Sequence, residues 1–461
     1  MEYSGVDVLR GCMRLGRGKL VFISLGAVVS IVGICALLFL IGPGAMDFAG
    51  RNRVDIADYS GGDPTGVPPF LAHESVVKRG EYLARAADCV VCHTARGGEA
   101  FAGGFPFALP FGTLYSTNIT PDKDTGIGNY TDKQFLRAIH RGVRKDGAYL
   151  YPAMPITSYT YLSDADALAI KAYLFSLTPI HAPSKANALA FPFNQRWAMG
   201  VWSTLFAPNS RFSPNAEQSR QWNRGAYLAE ALAHCGECHT PRNVAFALDN
   251  RKKFGGAITA GWHAYNISGD RQTGVGAWAD DDLRAYLLAG HAQGHGTAAG
   301  PMGEAIDASF SRLAPDDLEA LVTYVRSVPA VAEKGFAAPL AQAAPPSHRD
   351  GVNADERGKR IYEGACVSCH GWTGESPISD FATLTGARAV NDPDATNVAQ
   401  IVINGMRRTT PEGIIEMPAF GDAYSDTEIA AVCNFVTGRF GKAASTLSEA
   451  SIARLRGQIA H

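Results

Sequence analysis

The longest hydrophobic segment of the chain lies near its beginning. Residues 20–42 form a run of 23 positions without a charged side chain. A helix needs about 20 apolar residues to cross a bilayer, whereas a signal-peptide core usually has about 7–15. The pattern predicts an N-terminal transmembrane helix within residues 1–50, with a cleaved signal ending near residue 50 as the alternative. The basic residues expected to remain on its cytoplasmic side are Arg10, Arg14, Arg17 and Lys19.

Elsewhere, apolar residues recur at helical spacing in short segments that end in Gly- and Pro-rich turns. Ser163 with Asp166 and Ser425 with Glu428 resemble capping boxes, and Pro315 suits the first turn of a helix. The pattern therefore predicts an all-α fold. Its clearest segments are residues 76–87, 163–176, 315–327 and 425–437.

Glycines and aromatic residues recur within these segments. A glycine in a helix lets a second helix approach closely, because no side chain intervenes. The aromatic residues occupy equivalent places late in the C-terminal helices, so we expect them to pack against the N-terminal helix of their own domain. The glycines are Gly80, Gly225 and Gly358, and the aromatic residues are Tyr173, Tyr324 and Phe435.

Each of three helical segments leads to a Cys-x-x-Cys-His motif, the attachment pattern of a c-type haem. Cysteines three positions apart on a helical turn can reach the two vinyl groups of one porphyrin, and the following His can bind the iron. Zinc sites also use Cys-x-x-Cys pairs, but no second pair accompanies these motifs. The motifs comprise Cys89, Cys92 and His93; Cys235, Cys238 and His239; and Cys366, Cys369 and His370. The sequence therefore predicts three covalent haem c groups.

The first two motif-containing regions are duplicates. Asn118 corresponds to Asn266, and Gly142 to Gly290, both at an offset of 148 residues. The Thr-Gly-x-Gly loop at 125–128 recurs at 273–276, again 148 residues further on. The third region is shorter and lacks this loop.

Each iron needs a sixth ligand, and Met is the usual partner of His in electron-transfer haems. Gly142, Gly290 and Gly405 each precede a Met beside a Pro by 12 residues. This register selects Met154, Met302 and Met417 as axial ligands. It rejects Met406 as a ligand and leaves Met199 without a counterpart.

Composition adds few constraints. The formal charge of −2 over 461 residues gives no sign of nucleic-acid binding. Three of the nine cysteines lie outside the motifs, scattered singly, so no disulfide framework is visible. Other histidines lack support from the repeat register and are expected at the surface or in loops; they are His140, His181, His263, His291 and His295.

The chain length suits about three domains. Domain 1 is predicted at 70–185, domain 2 at 218–335 and domain 3 at 353–441. The segments between and after them are an aromatic connector at 186–217, an Ala/Pro linker at 336–352 and a tail at 442–461.

Each unit resembles a class I cytochrome c domain, so the expected fold is three such domains in tandem after an N-terminal transmembrane helix. From about residue 70 to 441 the chain is similar to the triheme cytochrome c subunits of membrane-bound periplasmic dehydrogenases of acetic acid bacteria. Those complexes oxidise alcohols, aldehydes, gluconate or fructose. Besides the haem motifs, the matching segments are 101–104, 115–122, 151–155 and 222–228.

This resemblance implies an electron-transfer subunit that is not catalytic alone. A partner dehydrogenase would supply electrons, and the haems would pass them to ubiquinone. The predicted anchor slightly favours an aldehyde dehydrogenase partner, with molybdopterin and iron–sulfur subunits, over a quinoprotein alcohol dehydrogenase subunit. Because haem c is attached outside the bacterial cytoplasm, the haem domains are expected on the periplasmic side of the inner membrane.

Two other functions compete with this interpretation. A haem peroxidase-like enzyme needs one open iron, and the three Met candidates argue against it. An electron-donating subunit of a terminal oxidase or reductase stays open, because the motif does not determine the direction of electron flow.

Overall fold

The computed structural model describes residues 30–62, 64–333, 356–410 and 413–458. The predicted linker at 336–352 lies outside these ranges. Helix α1 covers residues 30–41 and is followed, after a turn, by strand β1 (Arg53–Asp55).

The prediction of an N-terminal transmembrane helix is wrong. Among the helices of the described ranges, none is long and apolar enough to cross a membrane. Helix α1 ends at Ile41, and Gly42, the last residue of the apolar run, adopts a φ of +63° and is followed by Pro43. Residues 20–29 lie outside the described ranges.

The prediction of an all-α fold is also wrong, because five small sheets occur among the described residues. Their strands have between two and five residues. Segments this short cannot establish an alternating pattern of apolar and polar residues, so periodicity did not reveal them.

Domain 1 has a helical frame with one three-stranded antiparallel sheet in the order β2-β3-β4. Its helices are α2 (Val76–Ala86), α3 (Cys89–Cys92), α4 (Asp132–Arg141), α5 (Ile156–Tyr159) and α6 (Asp164–Ser176), and its strands are β2 (Pro106–Leu109), β3 (Gly112–Tyr115) and β4 (Ala188–Leu189). The connector then contributes α7 (Ala198–Phe206) and β5 (Ser210–Phe212), which pairs with β1.

Domain 2 repeats this frame with two hairpins. Its helices are α8 (Arg220–Tyr227), α9 (Gly236–His239), α10 (Asp280–Ala289), α11 (Gly300–Ala308) and α12 (Pro315–Ser327). Strands β6 (Ala257–Thr259) and β7 (Trp262–Ala264) form one hairpin, and β8 (His291–Ala292) and β9 (Gly296–Thr297) form the other.

Domain 3 keeps the helical frame and adds a longer hairpin. Its helices are α13 (Glu356–Ile361), α14 (Val367–His370), α15 (Thr396–Asn404), α16 (Asp426–Phe440) and α17 (Glu449–Gly457). Strands β10 (Met406–Thr410) and β11 (Gly413–Met417) pair in antiparallel register.

In each domain the N-terminal helix crosses the C-terminal helix at the glycine identified from the sequence. A Cβ atom on Gly80 would lie 1.8 Å from the Ala169 carbonyl oxygen, and one on Gly225 would lie 1.8 Å from that of Ala320. The corresponding distance from Gly358 to the Ala431 oxygen is 2.3 Å. The predicted close approach is therefore confirmed. The predicted aromatic packing is also confirmed, because the Cβ atoms of Tyr173, Tyr324 and Phe435 lie within about 3 Å of the same points.

The predicted capping signals differ in outcome. Ser425 and Glu428 form a complete capping box at the start of α16, and Pro315 begins α12. Ser163 caps α6 by accepting from the Asp166 backbone amide, but the Asp166 carboxylate does not return the bond. It accepts instead from Arg79 Nη2 at 2.5 Å and from Tyr227 Oη at 2.7 Å.

Tyr227 belongs to domain 2, so its bond to Asp166 joins domain 2 to domain 1. An equivalent bond joins a tyrosine of domain 1 to an aspartate of domain 2. Tyr82 of domain 1 donates to Asp317 Oδ2 of domain 2 at 2.6 Å, and Asp317 also accepts from Arg224 at 2.7 Å. Each duplicate thus contributes a tyrosine to the buried Arg–Asp pair of the other. The first two domains share one apolar core, whereas domain 3 packs around its own.

Candidate haem sites

Each Cys-x-x-Cys-His motif lies on a one-turn helix just after the N-terminal helix of its domain. Single π-helical turns, at Leu228–Leu232 and Tyr362–Cys366, lead α8 and α13 into the second and third motifs. In domain 1, α2 stops and Asp88 adopts a φ of +53° before the motif helix α3 begins. Residues i and i+3 of a helical turn are neighbours, so both cysteines of a motif lie on one side of its turn.

The motif histidines share one hydrogen-bonding arrangement. His93 Nδ1 lies 2.7 Å from the carbonyl oxygen of Thr117. His239 Nδ1 lies 2.6 Å from the Tyr265 oxygen, and His370 Nδ1 lies 2.6 Å from the Ala382 oxygen. A carbonyl can only accept, so Nδ1 carries the proton and Nε2 keeps a lone pair for a metal.

Burial favours the neutral form of these imidazoles. It lowers the pKa of His93 and of His370, and it lowers the pKa of His239 to about 4. A neutral imidazole is the form that binds a metal. Sequence reasoning identified the three histidines, but the carbonyls that orient them lie 12 to 26 residues further along the chain. No motif marked those carbonyls.

All three motifs line one continuous cavity of about 2900 Å³. A pocket for a single drug-sized ligand measures about 300–1,000 Å³, so this volume suits several large groups. Its walls are mainly apolar, as a porphyrin requires. The six motif cysteines and three motif histidines that line it are Cys89, Cys92, His93, Cys235, Cys238, His239, Cys366, Cys369 and His370.

The three methionines selected by register, Met154, Met302 and Met417, line the same cavity. Two methionines that the register did not select, Met199 and Met406, line it as well. Met406 lies directly opposite Met417 in the β10–β11 hairpin. Lining the cavity therefore does not distinguish ligand from neighbour, and the assignment of the three axial methionines stays a prediction.

The residues present fit a haem better than a bare metal ion. Within the described ranges, no group of three His, Cys, Asp or Glu side chains converges to hold a metal by itself. Each motif instead combines two cysteines, a histidine with its Nε2 uncommitted, and open apolar space. Bound there, haem iron would carry one electron at a time between its ferrous and ferric states.

A carboxyl that the sequence reasoning missed lies between the first two motifs. Asp88 precedes Cys89, and its Oδ1 atom is buried without a hydrogen-bond partner. Burial, with a smaller contribution from Glu304 of domain 2, raises the pKa of Asp88 to about 8. A lone Asp before a motif carries no sequence signal of burial.

The expectation that the other histidines lie at the surface is wrong for two of them. His140 is 1% exposed and its Nδ1 donates to the Tyr159 carbonyl at 2.9 Å. His263 is 8% exposed and lies between Asp392 and Glu333. His181 is exposed, whereas His291 and His295 are partly buried beside the hairpin β8–β9.

Comparison with known proteins agrees with this geometry. The sequence profile of the cytochrome c family matches residues 77–178. A second profile, described as cytochrome c oxidase, cbb3-type, subunit III, matches residues 353–436.

Curated relatives cover most of the chain. The fructose dehydrogenase cytochrome subunit of Gluconobacter japonicus is 40% identical over 414 residues, which is 85% of both chains. The gluconate 2-dehydrogenase cytochrome c subunit of Pantoea cypripedii is 39% identical over 404 residues, covering 84% of this chain and 90% of the relative. The cytochrome c subunit of an alcohol dehydrogenase (quinone) from Gluconobacter oxydans (strain 621H) is 36% identical over 401 residues, covering 84% and 83%.

The helical frame, the motifs and these matches define a cytochrome c protein that binds haem c covalently. More specifically, the chain belongs to the family of cytochrome c subunits of dehydrogenase complexes, as the resemblance indicated. It is an electron-transfer subunit, and the catalytic centre belongs to a partner dehydrogenase.

Proposed function

We propose that this subunit carries three haem c groups and passes electrons from its partner dehydrogenase to ubiquinone on the periplasmic side of the inner membrane. The observation that carries the proposal is that all three motifs, each with a carbonyl-oriented histidine, line a single cavity. Electrons move efficiently only between nearby centres, and one shared cavity supports a continuous route.

In this proposal His93, His239 and His370 would each supply one ligand to a haem iron, and Met154, Met302 and Met417 would supply the second. Six-coordinate iron has no position left for a substrate, which suits electron transfer and excludes peroxidase chemistry at these sites. Met thioether ligands also raise the reduction potential, which favours acceptance of electrons from an organic oxidation.

The substrate class of the partner dehydrogenase can no longer be inferred from a predicted transmembrane helix. The preference for an aldehyde dehydrogenase with molybdopterin and iron–sulfur subunits depended on a transmembrane helix, and none of the described helices could span a membrane. The relatives at 40% and 39% identity are named for fructose and gluconate. We therefore propose a partner that oxidises a small polyhydroxylated substrate, with simple alcohols and aldehydes as the alternatives to test.

An exposed apolar surface supports contact with the membrane, where ubiquinone is dissolved. We define the apolar surface as helix α1 together with two neighbouring segments, residues 191–201, which end in the first turn of α7, and residues 243–246. On α1, Ile31, Val32 and Phe39 are 60 to 66% exposed. In the two segments, the side chains of Phe191, Trp197, Val201 and Val244 are between 58 and 86% exposed.

The two parts of the apolar surface are joined directly. Asn243 Nδ2 donates to the Leu40 carbonyl at 2.7 Å, and the Arg251 guanidinium lies 3.8 Å from the centre of the Phe39 ring. Large exposed apolar patches mark interaction sites, and aromatic rings favour the lipid–water interface. The apolar surface borders the cavity, because Phe193 and Phe246 of its two segments, and the nearby Trp202, line the cavity wall.

A second function has one specific observation in its favour. Domain 3 matches the profile of subunit III of a cbb3-type oxidase, so the subunit could instead donate electrons to a terminal oxidase. That match covers residues 353–436 only, whereas the dehydrogenase relatives cover 84 to 85% of the chain. The dehydrogenase partner is therefore the better supported of the two.

The test is to purify the subunit from membranes with whatever it binds and to identify the cofactors. We expect three haems per chain by the alkaline pyridine spectrum, a bound dehydrogenase, and haem reduction by that enzyme's substrate but not by ubiquinol alone. Molybdenum with iron–sulfur centres would identify an aldehyde-type partner, and pyrroloquinoline quinone a quinoprotein. A copper-containing oxidase in the preparation, or fewer than three haems, would contradict the proposal.

A further inference from the structure

The loop after strand β7 holds the carbonyl that orients the second motif histidine. Trp262–Ala264 forms β7, and the next residue, Tyr265, presents its oxygen to His239 Nδ1 at 2.6 Å. This loop lies at the boundary between domains 2 and 3. Side chains of either domain can therefore reach the loop and hold it in place.

Two side chains of domain 3 hydrogen-bond to the backbone of strand β7 and of the loop that follows it. Both polar atoms of the Asn397 side chain pair with His263: Oδ1 accepts from its amide at 2.8 Å and Nδ2 donates to its carbonyl at 2.9 Å. On the other side of Tyr265, Arg388 Nη1 donates to the Asn266 carbonyl at 3.2 Å. Asn397 and Arg388 of domain 3 therefore hold His263 and Asn266, which flank Tyr265 in the chain.

A buried carboxylate of domain 3 holds the side chains of the same loop. The Asp392 side chain is fully buried, and its Oδ2 accepts from the Tyr265 hydroxyl at 3.2 Å and from His263 Nδ1 at 3.1 Å. The Arg388 guanidinium lies 4.7 Å from the centre of the Tyr265 ring. Glu333 of domain 2 completes the cluster at His263 Nε2, at 2.8 Å.

The other two motifs lack this arrangement. In domain 1 the equivalent strand, β3, is covered by the connector that directly follows the domain, through β4 and through a bond from the Tyr115 amide to Asn187 Oδ1 at 3.0 Å. In domain 3 the carbonyl of Ala382 lies on the short turn Asp380–Ala382, whose neighbouring Phe381 oxygen accepts one bond from Thr297 of domain 2. Among the described residues, the second site alone has its orienting loop held by an aspartate, an arginine and an asparagine of another domain.

We propose that Asp392, Asn397 and Arg388 of domain 3 are positioning residues for the second haem. Groups that hold the far nitrogen of a metal-binding histidine fix its orientation and raise its basicity. By holding the Tyr265 carbonyl, domain 3 strengthens the His239 ligand and stabilises the ferric state. Within the cluster, Arg388 and His263 oppose the charges of Asp392 and Glu333. Docking of domain 3 therefore lowers the reduction potential of the second haem through its hold on the Tyr265 carbonyl. This inference rests on the proposed function only in requiring a haem at the second motif.

The test is a spectroelectrochemical titration of the purified complex with the variants Asp392→Asn and Tyr265→Phe. Each is nearly isosteric, and the second removes one hydroxyl only. The component of the second haem is recognised by its absence from a Cys235→Ala, Cys238→Ala double variant. We expect that component alone to move to a higher potential, with a larger shift for Asp392→Asn.

The matched control is Asp307→Asn, which removes a different carboxylate of the same domain interface. Asp307 accepts from Arg408 of domain 3 at 2.6 Å and does not touch the β7 loop. A selective shift in the two test variants and none in the control supports the inference. Equal shifts in all three haems, no shift, or the same shift in the control would overturn it. Absence of a haem from the second motif in the native complex would instead refute the proposed function.

Discussion

At the scale of single residues, the two bonds exchanged between domains 1 and 2 set the relative position of the first two haem sites. Tyr227 donates to the buried Asp166 carboxylate, and Tyr82 donates to Asp317. Loss of a hydrogen bond to a charged group costs about 1.5–3 kcal/mol. We therefore expect Tyr227→Phe to lower the free energy of unfolding by about that amount, measured by urea denaturation.

Domain 3 offers the control for this substitution. The equivalent residue, Tyr362, donates only to the Gly371 carbonyl at 2.6 Å. A neutral hydrogen bond contributes about 0.5–1.5 kcal/mol, so Tyr362→Phe should cost less. Equal losses in the two variants would show that the carboxylate partner adds nothing.

The β10–β11 hairpin allows a direct test of the axial ligand in domain 3. Met417 and Met406 face each other across the hairpin, and both line the cavity, but only Met417 has the repeat register. We expect Met417→Ala to abolish the far-red absorption band of one methionine-ligated ferric haem. Met406→Ala should leave that band unchanged, and the reverse result would move the ligand to Met406.

At the scale of elements, the crossing of the first and last helices of each domain depends on the absence of one side chain. A methyl group on Gly225 would lie 1.8 Å from the Ala320 oxygen, so the helices must separate to admit it. Overpacking of this kind costs about 1–3 kcal/mol or more. We expect Gly225→Ala to lower the thermal midpoint and the yield of haem-loaded protein.

Gly364 is the matched control for the helix crossing. It lies in the π-helical turn before the third motif, and an added Cβ would meet nothing within 4 Å. Alanine is favoured over glycine in helices by about 1 kcal/mol, so Gly364→Ala should leave stability unchanged or raise it. A comparable loss in both variants would mean that helix propensity, not close approach, explains the first result.

The helices could be predicted from the sequence because their signals are local. Residues 315–327 carry apolar residues at helical spacing and an initial Pro, and α12 has the same bounds. The sheets could not be predicted, because strands such as Ala188–Leu189 exist through pairing with a distant strand. The spanning helix was predicted from length and hydropathy, yet none of the described helices is long and apolar enough to cross a membrane.

At the scale of the whole molecule, the contacts that bring the haem sites together join residues far apart in the chain. Tyr82 and Asp317 are 235 positions apart, and His263 and Asp392 are 129 apart. The motifs and their repeated register predicted which residues face each haem, and the motif cysteines and histidines and the three selected methionines line the cavity. They could not show which domain supports each site, because one sequence contains no signal of such pairs.

Docking of domain 3 should depend on pH through His263. Burial lowers the pKa of His263, but its hydrogen bonds to Asp392 and Glu333 outweigh this effect and raise the pKa to about 9. An ordinary histidine titrates near 6.5, so the charged imidazole contributes fully below pH 6.5, and its contribution is lost as pH rises to about 9. We expect the free energy of unfolding to fall over this range by at most about 3 kcal/mol.

Urea titrations at pH 6, 7.5 and 9 would measure this dependence. His263→Gln should remove most of the slope. His291→Gln is the control, because burial lowers the pKa of His291, in the direction opposite to the shift of His263. A native slope that survives in His263→Gln would assign the pH dependence to another group.

The central claim is that three haem sites in one cavity connect a partner dehydrogenase to ubiquinone. Its most direct test is rapid anaerobic mixing of the purified complex with the partner's substrate and then with a ubiquinone analogue, followed at the haem alpha band. The account predicts that substrate reduces all three haems of each chain and that the quinone reoxidises all three. Haems that dithionite reduces but substrate does not, or reduced haems that the quinone leaves unchanged, would contradict it.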